Sequence, residues 1–194
     1  MTEQLRVGFV PGVTPDKWAR SWRERRDGVR LELLPLAETE AELAVRSGEV
    51  DMALVRLPVD SSELHLVRLY EELPVVVVSR EHPVAAYDEI DLTDLADEQF
   101  IGGPPAGFRP TADQLEFPAM SAKEAVEVAA AGTGVVILPM SVARLHHRRD
   151  AVHRPVRGVP STIVGLIWRV DRDDDTTQSF VGVVRGRTPR SSRG

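Results

Sequence analysis

The chain has 194 residues, 42% hydrophobic and 28% charged, which suits one domain or two small lobes and leaves no room for a large multidomain enzyme. No apolar run approaches the ~20 residues that cross a bilayer, and there is no cysteine, so a membrane-spanning helix, disulfides and thiol chemistry are excluded. The net charge of −6 argues against bulk electrostatic binding of nucleic acid, and Met1-Thr2-Glu3-Gln4 lacks the basic start and apolar core of an export signal, which makes the cytoplasm the expected location.

Leu5 to Val10 alternates apolar and polar residues and then meets Pro11-Gly12, the pattern of a strand entering a tight loop. A helix is predicted next, with Thr14 as cap, Pro15 at its first position, and Trp18 and Trp22 four apart on its inner face. Arg30 to Leu34 reads as a second strand. Thr39-x-x-Glu42 has the spacing of a capping box opening a helix that stops at Gly48, and Met52 to Val55 is an apolar third strand. Strand and helix alternating in this way predict a parallel sheet covered by helices.

Pro74 to Ser79 is a further buried strand, and the polar stretch from Arg80 to Asp91 marks entry into a second unit. There Ser121-x-x-Glu124 opens an Ala/Val-rich helix ending at Gly132, and Val135 to Pro139 is again apolar. Thr162 to Trp168 reads as a strand and Gln178 to Val184 as a terminal helix. The expected fold class is α/β, two Rossmann-like lobes joined by two crossover segments. Residues 1–73 and 155–184 form a discontinuous lobe I, 74–154 an inserted lobe II, and 185–194 a disordered basic tail. Ligands of such folds sit at the carboxyl ends of parallel strands, where helix N-termini present free N–H groups.

Five segments, taken in order and spacing, resemble the effector-binding domain of LysR-type transcriptional regulators. They are Leu5–Val10, Leu43 through Val55, His82-Pro83-Val84-Ala85, Phe100-Ile101, and Ala131 through Pro139. The resemblance covers roughly residues 5–170 and implies the type 2 periplasmic-binding-protein fold, with a cleft between the lobes. It also implies an N-terminal helix-turn-helix that these residues do not contain, so this chain by itself is expected to make no sequence-specific contact with DNA.

Members of that family hold a small, often carboxylated metabolite by helix N-termini and hydroxyl side chains. Matched onto this chain, the loop after the first strand supplies Val13 and Thr14, the next supplies Thr39, and Arg56 follows the third strand with a guanidinium suited to a carboxylate. From the second lobe the matching positions are Gly102 and Gly103, Met120 and Ser121, and Pro139 with Met140. Thr14, Thr39 and Ser121 also suit plain helix caps, and Arg56 a plain surface arginine. The resemblance further implies a homodimer in which the helices near 40–48 and 122–131 meet, although the small residues of the second helix suit its own sheet equally well.

No cofactor or metal is expected. Adjacent His146 and His147, with His153 beyond, do not converge on one point, and Asp171 to Asp175 lacks the glycine turn and bidentate glutamate of a calcium loop. No nucleophile elbow, zinc-protease motif, phosphate loop or dinucleotide fingerprint is present, so the chain is read as a binder and not an enzyme. Two other readings stay open at this point: a ligand-free protein that pairs with complete regulators, and a small enzyme on the same scaffold.

Overall fold

The computed structural model describes residues 3–25 and 28–186, and the chain divides into two units. One is built from the chain up to Glu71 and from Ile163 onward, and the other spans Glu72–Thr162. The return to the first unit thus comes after the point near residue 155 that the sequence suggests. The reason is a strand at Ala151–Arg157 that pairs within the second sheet.

The first unit holds β1 (Glu3–Phe9), α1 (Asp16–Arg25), β2 (Val29–Pro35), α2 (Ala41–Ser47), β3 (Met52–Arg56) and β4 (Leu64–Glu72). Its sheet has the order β2-β1-β3-β9-β4, where β9 is Thr162–Arg169, and α5 (Asp175–Val184) follows. β1 runs parallel to β2 and β3, but β9 is antiparallel to β3, so the sheet is mixed and not the purely parallel one expected. Trp18 and Trp22 turn inward as their spacing demands. The Trp22 indole donates to the Val29 carbonyl at 3.0 Å and meets the Phe180 ring edge-on at 5.7 Å, which packs α1 against α5.

The cap expected at Thr39 is not formed. Helical bonding already starts at the Ala37 carbonyl, which accepts from Glu40 N–H at 3.0 Å and Ala41 N–H at 3.1 Å. Thr39 therefore lies inside the entry turn, and Glu40 takes the N-cap position without a side-chain hydrogen bond. Gly48 closes the helix in the left-handed conformation, φ 78°, as its place in the sequence implies.

The second unit's sheet has the order β6-β8-β5-β7, with β5 at Pro74–Ser79, β6 at Ile90–Asp91, β7 at Val136–Pro139 and β8 at Ala151–Arg157. α3 (Ala122–Ala130) and α4 (Met140–Leu145) complete it. Alternate residues of β5 feed two separate cores. Val75 and Val77 pack with Ala125, Val126 and Ala129 of α3, while Val76 and Val78 pack with Leu92, Leu95 and Phe100. The small side chains of α3 are thus spent on its own sheet.

The last helix begins at Asp175, ahead of the expected Gln178, because Asp174 caps it: its carboxylate accepts from Thr176 N–H at 3.0 Å and Thr177 N–H at 2.9 Å. Of the basic tail, Arg185 is the C-cap of α5, and residues 187–194 lie outside the described residues. Among the described residues no helix is long and apolar enough to cross a membrane.

Candidate functional site

In the first unit, the register Phe9↔Pro35 and Phe9↔Leu54 brings the carboxyl ends of β2, β1 and β3 to one edge of the sheet. The loops leaving that edge are tied to it by Leu36 N–H donating to the Phe9 carbonyl at 3.0 Å and Val10 N–H to the Leu54 carbonyl at 3.2 Å. Thr14 and Thr39 are exposed there. Val13 is not: its side chain is part of the hydrophobic core, and its N–H closes a turn onto the Val10 carbonyl at 3.2 Å. Arg56 is neither a surface arginine nor an open clamp. Its side chain is 4% exposed and its Nη1 lies 3.5 Å from the Glu38 carboxylate, so a carboxylate of the protein already stands against it.

In the second unit, an open depression of about 790 Å³ gathers four of the expected positions, Gly102, Gly103, Met120 and Ser121. They converge because two chain features end there. Phe100 makes a parallel bridge with Val135, through Val135 N–H to the Gln99 carbonyl and Ile101 N–H to the Val135 carbonyl, both 2.8 Å. The chain then turns sharply, with Gly103 N–H returning to the Phe100 carbonyl at 3.0 Å. Gly102 and Gly103 sit at φ 83° and 90°, a pair of left-handed residues that side chains disfavour. The second glycine of the Gly132-Thr133-Gly134 run serves this bridge too. A Cβ on Gly134 would come to 2.4 Å from the Gln99 carbonyl oxygen, so only glycine lets the two segments approach.

On the other wall Ser121 opens α3 with the expected capping box. Glu124 Oε2 accepts from the Ser121 N–H and hydroxyl, both at 2.7 Å, and Glu124 N–H returns to Ser121 Oγ at 3.3 Å. These bonds, the backbone one foremost, hold the Glu124 carboxyl below its usual range. Pro139 and Met140, at the junction of β7 and α4, are outside the lining of the depression.

The histidines do not assemble a metal site. His146 is the C-cap of α4, and His146, His147 and His153 border a cavity of about 10 Å³, roughly one water. Among the described residues no group of three or more His, Asp or Glu could hold a metal ion. Burial, with Arg144, Arg154 and His147 nearby, pushes the His153 imidazole below its ordinary pKa.

A family model described as the LysR substrate binding domain matches residues 1–189. The chain belongs to that family. Its similarity to the Hca operon transcriptional activator HcaR of Escherichia coli (strain K12) is 28% identity over 201 residues, covering 95% of this chain and 68% of HcaR. The reduced form of OxyR superposes with a TM-score of 0.78 at 20% identity, covering 98% of both chains. The BenM effector-binding domain with its effector benzoate gives 0.74 at 20% identity, covering 96% of this chain and 95% of that one. These superpositions show the shared fold, the type 2 periplasmic-binding-protein-like one. This LysR domain spans about two thirds of the length of the curated relatives it matches, which are transcriptional regulators.

Sequence reasoning missed most of the apolar lining of this LysR domain's depression, including Phe117, Ala125, Val136 and Leu138. Leu115-Glu116-Phe117 alternates apolar and polar residues, the one local signal that this segment presents an inward face.

Proposed function

We propose that this LysR domain binds a small carboxylate effector and thereby controls transcription through a DNA-reading domain or partner. The observation that carries the reading is the second-unit depression bounded by Gly102, Gly103, Met120 and Ser121, large enough for a metabolite and shaped by backbone features that only glycines and a capped helix start supply. The benzoate bound by BenM supports the carboxylate class, and the activator role of HcaR supports the regulatory output. For the first unit taken by itself, Thr14 and Thr39, exposed at its strand ends, are proposed polar contacts for a ligand. Action as a homodimer in the cytoplasm, without catalysis, completes the proposal.

Thermal-shift screening of the chain against aromatic and aliphatic carboxylates tests it. A ligand at a hundred times its Kd stabilises the folded chain by about 2.7 kcal/mol, a readily measured rise in Tm. At least one stabiliser is expected. A library of carboxylates that leaves Tm unchanged contradicts the proposal.

A further inference from the structure

The depression's lining is apolar where it is deepest. Ile101, Ala125 and Val136 are buried in the core that α3 shares with β5, and Phe117 and Leu138 pack beside them. Among the described lining residues the one ionisable side chain is Glu116, and there is no Lys, Arg or His. At the start of α3 the Glu124 carboxylate already accepts both the N–H and the hydroxyl of Ser121, which puts a negative charge of the protein where an anion would be drawn. An anionic group entering here meets Glu116 and finds no cationic side chain among the described lining residues, and removing it from water without one is costly.

Uncharged polarity is available instead. Val135 uses its N–H and carbonyl toward Gln99 and Ile101, and two residues along the same extended edge Ile137, which lines the depression, presents its own amide group in that direction. Resting on the effector reading above, we infer that the depression receives the uncharged apolar body of the ligand, a ring or branched alkyl group, while excluding an anionic group. The effector class is then a monocarboxylate with an apolar body, its carboxylate held outside the depression, and not a di- or tricarboxylate.

Methyl NMR of the whole chain, labelled at Ile, Leu and Val and titrated at matched ionic strength with benzyl alcohol, benzoate and terephthalate, tests the inference. Benzyl alcohol and benzoate should shift the methyls of Ile101, Val136 and Leu138, and terephthalate should bind about tenfold more weakly than benzoate. Glu116→Lys, at an exposed position, should tighten terephthalate about tenfold and leave benzyl alcohol unchanged. Terephthalate matching benzoate on the unaltered chain, no change of terephthalate affinity in Glu116→Lys, or benzyl alcohol leaving all three methyls unmoved overturns the inference. Benzoate that stabilises the chain without moving these methyls also overturns it, yet leaves the effector reading standing. Benzyl alcohol shifting the methyls while no carboxylate stabilises the chain overturns the monocarboxylate class together with the carboxylate in the effector reading.

Discussion

The Asp51 carboxylate accepts both the backbone N–H of Arg6, at 2.8 Å, and the Arg6 guanidinium Nη2, at 3.1 Å, clamping the residue before β3 onto the middle of β1. Arg172 approaches the same carboxylate at 3.5 Å, and Asp51 is only 6% exposed. Asp51→Ala removes the acceptor from a partly buried amide and two cations. It should cost about 3 kcal/mol, at the lower end for a buried pair because Arg6 itself is partly exposed. Urea unfolding measures this, and a loss below about 1 kcal/mol would place the pair among ordinary surface bridges.

Gly134 and Gly182 make opposite predictions for the same substitution. Gly134→Ala drives a methyl into the Gln99 carbonyl, so it should destabilise by about 1–3 kcal/mol and weaken any ligand response that depends on the Phe100–Val135 bridge. At Gly182, inside α5, an added Cβ meets nothing within 4 Å, and Gly182→Ala should stabilise by about 0.5–1 kcal/mol. Paired denaturation curves decide both.

The His153 imidazole, held below the ordinary histidine pKa chiefly by burial, is neutral in the fold and protonates more readily in the unfolded chain. Its contribution is therefore complete above the unfolded pKa near 6.5 and declines as pH falls toward the lowered folded value. The urea midpoint of the unaltered chain should fall between pH 7 and pH 5. His153→Gln should fall less over that interval, and parallel pH profiles would refute the assignment.

Ser121 and Thr39 occupy the same place in two similar sequence patterns, yet only Ser121 caps its helix. Ser121→Ala should cost about 1 kcal/mol, whereas Thr39→Ala should stay within about 0.5 kcal/mol. Equal losses measured by chemical denaturation would show that Thr39 caps after all.

The contrast shows what a sequence exposes and what it hides. β3, β5 and β7 are legible because Met52 to Val55, Val75 to Val78 and Val136 to Leu138 are unbroken apolar runs, and Gly48 and Ser121 punctuate helices by local chemistry alone. β4 and β8 are not legible. The first carries His65, Arg68, Glu71 and Glu72, and the second carries His153, Arg154 and Pro155, so their pairing is decided by neighbouring strands and not by their own pattern. The site divides in the same way. Gly102, Gly103 and Ser121 are site positions that the family resemblance supplies, while Phe117, Ala125 and Leu138 meet only once the sheet has formed. Arg56 has the right chemistry for a ligand, but its Glu38 partner lies 18 positions away in the chain and becomes visible only in three dimensions.

A crystal structure of the chain grown with the strongest stabiliser from the carboxylate screen tests the central claim most directly. The account requires the ligand's apolar body to lie against Ile101, Val136 and the Gly102–Gly103 turn, with the Ser121–Glu124 cap intact beside it. A stabiliser seated elsewhere while this depression stays filled with water, or a carboxylate group found inside it, would contradict the account.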